Sequence, residues 1–265
     1  MSTAVSRDGT RIGYTRAGQG PAVVLVDGAL CYRNFGPMGE LSALLAPRFT
    51  VYSYDRRGRG ESGDTAPYAV EREIEDIAAL IEQAGGSAFV YGMSSGAVLA
   101  LRAAAHGLPI TKLALYEPPL IVDATRQPIP KDYVAHLNEL VAAGRHGDAV
   151  EYFLTAAVEV PPALVAEMRG SSIWPGMEAL APTIAYDGMV MGAAMSGEKG
   201  SLQQFAAVTT PTLVLDGGAS PEWMHSGAQA LADVLPNARR ETLPGQTHAV
   251  DANVLVPVLR AFFTA

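Results

Sequence analysis

The sequence predicts an α/β protein built on a mostly parallel sheet, with a helical segment inserted late in the chain. Three observations carry that reading. Short runs rich in β-branched and aromatic residues alternate with helix-like stretches up to Tyr116, the alternation lapses from about Leu120 to Phe205, and it resumes at Thr212. The expected division is a core of residues 1–119 and 206–265 and a helical cap of residues 120–205.

At the N-terminus, Asp8-Gly9 separates two short segments whose β-formers are Val5, Ile12 and Tyr14, the pattern of a hairpin. Residues 22–26, 49–54 and 88–91 read as buried strands. Between the last two, Ile74, Ile77, Ala78 and Ile81 recur at helical spacing over residues 70–83, with Glu71, Glu73, Glu75 and Asp76 near the helix start and Gly85-Gly86 beyond its end. A second helix over 95–106 stops at Gly107, and a strand over 111–116 precedes Pro118-Pro119. Strand, helix, strand is a crossover unit, so these strands pair in parallel. In the inserted segment, 133–143 and 148–158 read as helices. A strand at 212–215, a helix at 222–235, a short strand at 239–243 and a helix at 254–263 complete the chain.

A chain of 265 residues, 49% of them hydrophobic, holds enough apolar material for a large core. Its net charge of −8 argues against nucleic-acid and anionic-membrane partners. The N-terminus carries no apolar signal core and no run approaches the roughly 20 apolar residues of a spanning helix, so a soluble cytoplasmic protein is expected. The single cysteine, Cys31, cannot form an internal disulfide, and no Cys/His cluster has metal-ligand spacing. No metal or organic cofactor is expected.

The candidate nucleophile is Ser94, within Gly92-Met93-Ser94-Ser95-Gly96. A serine hydroxyl needs a base to take its proton and donors for the developing oxyanion. Glycines on either side suit a sharp strand-to-helix turn in which Cβ atoms would crowd, and the following helix N-terminus favours negative charge. The five residues alone also fit an ordinary turn; Phe89-Val90-Tyr91 before them and Val98-Leu99-Ala100-Leu101 after them provide the strand–turn–helix setting that the motif demands.

With these residues in view, nearly the whole chain resembles the α/β-hydrolase family. Besides the Ser94 turn, the resemblance rests on Val24-Leu25-Val26-Asp27-Gly28-Ala29, on Asp55-Arg56-Arg57-Gly58-Arg59-Gly60-Glu61-Ser62 and on Gly245-Gln246-Thr247-His248. It implies an eight-stranded twisted sheet with helices on both faces and a cap roofing the pocket. It also implies an oxyanion hole from the backbone N–H groups of Ala29 and Ser95, although Asp27-Gly28 stands where many relatives have His-Gly. Of the five histidines, only His248 follows the last strand, and the order nucleophile, acid, histidine matches the family, so His248 is the expected general base.

The acid departs from the pattern. Relatives mostly carry Gly-x-x-Asp after the strand read here at 212–215, whereas this chain has Asp216-Gly217-Gly218-Ala219-Ser220. A serine cannot stabilise an imidazolium as a carboxylate does. Glu117, at the end of the preceding strand where some relatives keep their acid, is the first candidate; Asp216 is the second.

Cys31 reads as a packing residue and Arg56, Arg57 and Arg59 as structural. Trp174, Met177, Tyr186, Met189, Met191 and Met195 form a soft apolar set in the cap, from which Trp174, Tyr186, Met189 and Met191 are the expected pocket residues. The expected activity is that of a serine hydrolase, a carboxylic ester hydrolase of class EC 3.1, cleaving a small apolar ester, lactone or related acyl compound without a cofactor. Two alternatives stand beside it: a cofactor-free perhydrolase, haloperoxidase or lyase on the same triad, and a ligand-binding protein with little turnover.

Overall fold

The computed structural model describes residues 2–265. Among these, eight strands form one sheet: β1 (Ser2–Val5), β2 (Arg11–Ala17), β3 (Ala22–Val26), β4 (Thr50–Tyr54), β5 (Ala88–Met93), β6 (Ile110–Tyr116), β7 (Thr212–Gly217) and β8 (Ala238–Leu243). Their spatial order is β1-β2-β4-β3-β5-β6-β7-β8. β1 and β2 pair antiparallel with each other, and β2 with β4; every later pairing is parallel. The N-terminal hairpin turns at Asp8-Gly9, where Gly9 takes φ +87° and the Asp8 carboxylate accepts from the Thr10 N–H.

Helices cover both faces of the sheet. α2 (Val70–Gln83), α3 (Ser95–Ala105) and α9 (Glu222–Val234) pack on one side, and α1 (Met38–Leu45) and α10 (Ala252–Thr264) on the other. The sequence pattern leaves α1 unassigned, because its eight residues hold too few turns to display a period. The central strands β3, β4 and β7 are buried on both faces, which explains their continuous rather than alternating apolar runs.

Between β6 and β7 the chain is largely helical: α4 (Tyr133–Ala142), α5 (His146–Tyr152), α6 (Pro162–Met168), α7 (Trp174–Leu180) and α8 (Ile184–Met191), with a 3₁₀ turn joining α7 to α8 and two more 3₁₀ segments after α8. The expected helix over 148–158 is instead α5 followed by a π-helical turn, Phe153–Ala157. This segment divides by its packing. Residues from Tyr133 to Ala185 form a cluster of their own with Leu30, whereas Val190, Met191, Met195, Leu202 and Phe205 join the core on the α3 and α9 side of the sheet. Among the described residues, no helix is long and apolar enough to cross a membrane.

Candidate active site

The turn from β5 into α3 is tight. Ser94 has φ +56° and ψ −131°, a conformation that L residues adopt only when their surroundings force it. A Cβ on Gly92 would lie 2.5 Å from the Gly96 carbonyl oxygen, and one on Gly96 would lie 2.3 Å from the Asp27 carbonyl oxygen. Glycine is therefore required on both sides. The Ser94 N–H donates to the Tyr116 carbonyl on the neighbouring strand at 2.9 Å. Ser95 opens α3, so its N–H has no carbonyl one turn earlier in the helix to bond.

His248 lies in the loop after β8. Its Nδ1 is 2.8 Å from Oε2 of Glu117, whose other oxygen accepts from the Gly217 N–H at 2.8 Å. The Glu117 side chain is fully buried while that of His248 is 41% exposed, so the carboxylate is shielded from water and the imidazole faces it. Glu117 also has positive φ, +44°, directly after β6. Two neighbouring strands thus each lead into a candidate site residue with positive φ. The His248 loop is tied down by the Tyr116 hydroxyl, which donates to the Thr247 carbonyl at 2.6 Å, and it runs so close to β7 that a Cβ on Gly217 would meet the Gln246 carbonyl oxygen at 2.4 Å.

Asp216, the second candidate acid, belongs to another network. It is fully buried and accepts from Arg240 at 2.7 and 2.9 Å and from Thr242, with Nδ1 of His225 at 2.6 Å. Burial works to raise its pKa, but these hydrogen bonds hold the carboxyl below the ordinary carboxylate range. The Asp216 side chain turns to Arg240 and Thr242 on β8, and it is the Gly217 backbone N–H that meets Glu117.

Ser94, Ser95, Ala29 and His248 open on one cavity of about 510 Å³. Its other walls are mostly apolar: Tyr133 and Phe153 from the inserted helices, Met191 and Met195, and Trp223 and Met224 from the start of α9. Asp27 lies beneath the Ala29 loop, 2% exposed; burial pushes its pKa up to about 7, against the pull of Arg59, Arg56 and the Gly28 N–H.

Comparison with known proteins agrees with this geometry. The family model described as the alpha/beta hydrolase family matches residues 20–256. The chain belongs to that family. An α/β hydrolase from Sphaerobacter thermophilus shares 57% identity over 99% of this chain and 100% of its own, with a TM-score of 0.91. An N-formylmaleamate deformylase from Pseudomonas putida is 32% identical over 170 residues, and the chain spans 62% of that relative's length, the match covering 62% of this chain. The enol-lactonase of Burkholderia xenovorans, 22% identical with a TM-score of 0.72 and full coverage of both chains, shares the fold.

Within this α/β-hydrolase fold, the expected pocket set is corrected at three of its four members. Trp174 is buried in the inserted helices' own cluster, with its indole N–H donating to Glu178 at 3.0 Å. Tyr186 stacks on Tyr68 with 3.7 Å between ring centroids and donates its hydroxyl to Asp64. Met189 is exposed at the surface. Met191 alone of the four lines the cavity. Residues two apart on a helix lie on different faces, so Met189 and Met191 cannot both point inward. Trp223 and Met224 were overlooked, although their position just past the C-terminal end of a parallel strand, where open sheets bind ligands, marks them. Cys31 lies outside the cavity lining, and burial together with Asp27 pushes its thiol pKa up.

Proposed function

We propose that this protein is a serine hydrolase that cleaves a neutral carboxylic ester, lactone or related acyl compound. The carrying observation is the hydrogen bond between His248 and the buried Glu117, at the edge of a cavity that Ser94 also lines. In this reading His248 takes the Ser94 hydroxyl proton while Oγ bonds to the acyl carbon. The carbonyl oxygen becomes an oxyanion received by the N–H groups of Ala29 and Ser95. Collapse of this intermediate expels the leaving oxygen, which takes the proton from His248. A water molecule, deprotonated by His248, then attacks the acyl-serine, releasing the acid and restoring Ser94. Glu117 holds the imidazole with its proton on Nδ1 and stabilises the imidazolium.

The cavity lining supports a neutral, apolar acyl group. Its acidic side chains are Glu159 and Asp187, and no lysine or arginine lines it among the described residues. An anionic substrate would bury a carboxylate there without a counter-charge. The test is direct: a fluorophosphonate should label the wild-type protein at Ser94, p-nitrophenyl acetate should be hydrolysed, and Ser94→Ala should abolish both. No labelling and no turnover would overturn the reading. Turnover of p-nitrophenyl butyrate should exceed that of mono-p-nitrophenyl succinate by about tenfold or more in kcat/KM, since stranding a charge costs upward of about 1.4 kcal/mol. Halogenation dependent on peroxide and acetate, faster than hydrolysis, would point instead to perhydrolysis.

A further inference from the structure

Asp187 belongs to α8, yet its carboxylate reaches the base of the catalytic turn. Oδ1 accepts from the Ser95 hydroxyl at 2.6 Å and from Arg56 at 2.5 Å, and Oδ2 accepts from Arg59 at 2.6 Å. The side chain is 6% exposed, and the two arginine side chains are at most 1% exposed. The arginines grip the other half of the oxyanion site. Arg59 donates to the carbonyls of Gly28 at 2.5 Å and Cys31 at 3.3 Å, and Arg56 donates to that of Asp27 at 3.3 Å; these residues bracket Ala29. Arg59 also donates to Thr183, just before α8, and Arg56 is held by a bidentate pair with Glu73 on α2. Two arginines and two carboxylates make a charge-balanced, buried cluster, where such charge-assisted bonds hold geometry firmly.

One buried cluster therefore ties together the loop carrying Ala29, the residue carrying the second N–H, and α8 of the inserted helices. We propose that Asp187 is a positioning residue for the oxyanion hole: by anchoring Ser95 to the arginines that hold the Ala29 loop, it sets the spacing of the two backbone donors, and it does so only while α8 is seated. This rests on the serine-hydrolase reading. The donors are useful only when they converge on the oxygen of the transition state, and that convergence is what the cluster enforces.

The test compares wild type, Ser95→Ala, Asp187→Asn and the double variant in the full-length protein. Ser95→Ala removes the hydroxyl that meets Asp187 and leaves the backbone donor and the arginine pairs in place. It should lower kcat on p-nitrophenyl acetate by about 10- to 100-fold, less than the loss of a whole donor, while KM moves less than about threefold. Affinity for an aryl trifluoromethyl ketone, whose adduct carries the oxyanion, should fall by the same factor as kcat. The double variant should be no slower than Asp187→Asn, because both changes cut one linkage. A folded Ser95→Ala with wild-type kcat and ketone affinity overturns the proposal, as does a rise in KM alone. If Asp187→Asn does not fold, Ser95→Ala decides by itself. A wild-type protein without turnover or fluorophosphonate labelling overturns the hydrolase reading, whereas wild-type turnover with an unaffected Ser95→Ala overturns the positioning role alone.

Discussion

Replacing Glu117 by glutamine should nearly abolish catalysis while leaving the fold intact, and the reason lies in which way the amide must face. The two carboxylate oxygens of Glu117 have different partners, the Gly217 N–H on Oε1 and His248 Nδ1 on Oε2. In Glu117→Gln the Gly217 N–H still requires an acceptor in a buried site, so the amide oxygen turns toward it and the NH₂ group toward His248. Nδ1 must then accept, which moves the imidazole proton to Nε2. In that tautomer His248 cannot take the proton of Ser94. Both hydrogen bonds survive, so stability changes little, but the base is in the wrong form. Wrong-tautomer substitutions of this type cost about 10³- to 10⁴-fold in kcat, or about 4–5.5 kcal/mol of transition-state stabilisation. The assay is kcat on p-nitrophenyl acetate together with the fluorophosphonate labelling rate, with circular dichroism to verify the fold. A folded Glu117→Gln protein retaining more than about a tenth of wild-type kcat would refute the reasoning.

Asp216→Asn should do the opposite, keeping kcat within about threefold while the loss of a buried acceptor for Arg240 and His225 lowers stability by about 3 kcal/mol, read from urea midpoints; a large fall in kcat without destabilisation would return Asp216 to the triad. For Asp27, burial raises the pKa from 3.8 to about 7, so the folded chain keeps a proton that the unfolded chain releases. The associated stability is present in full below the ordinary value and is lost as pH rises through about 7, a difference on the order of 4 kcal/mol. Asp27→Asn, which mimics the protonated form, should therefore flatten the decline in Tm between pH 5 and pH 8.5; identical pH dependence in the two proteins would contradict the assignment. Gly96→Ala would place a Cβ 2.3 Å from the Asp27 carbonyl oxygen, so it should cost several kcal/mol or prevent folding, and a Tm within 2 °C of wild type would show that the turn yields more readily than its geometry implies.

The sharp turn at Ser94 was legible from the sequence because everything that makes it is local: a strand, two glycines and a helix start within a few residues. The alternation of the core was legible for the same reason, since parallel strands and their crossover helices imprint their periods on contiguous segments. Glu117 and Asp216 were harder to separate, because each ends a strand, and which of them meets His248 depends on where the β8–α10 loop crosses the sheet. The cavity walls were least legible. The inserted helices are short and apolar on more than one face, so composition says that Tyr186 and Met189 are soft and apolar but not that one stacks on Tyr68 and the other faces solvent. Asp187 carried no signal at all: a lone aspartate on a short helix acquires its partners only through tertiary contact.

The placement of Glu117 at the end of β6 has a consequence for how this enzyme scaffold can diversify. The proposed nucleophile and acid are both carried by the contiguous unit β5–α3–β6, before the inserted helices begin. Exchange, lengthening or reshaping of that insert, or of the β7–α9 loop bearing Trp223 and Met224, leaves the separation of Ser94 and Glu117 untouched. Such changes reach the proposed triad through the Gly217 N–H, through the histidine loop packed against β7 and, from the insert, through the contact of Asp187 with Ser95. The arrangement is modular: the proposed nucleophile and acid are encoded in one short stretch, and the pocket walls can vary around them so long as β7 and the contact of Asp187 with Ser95 are kept.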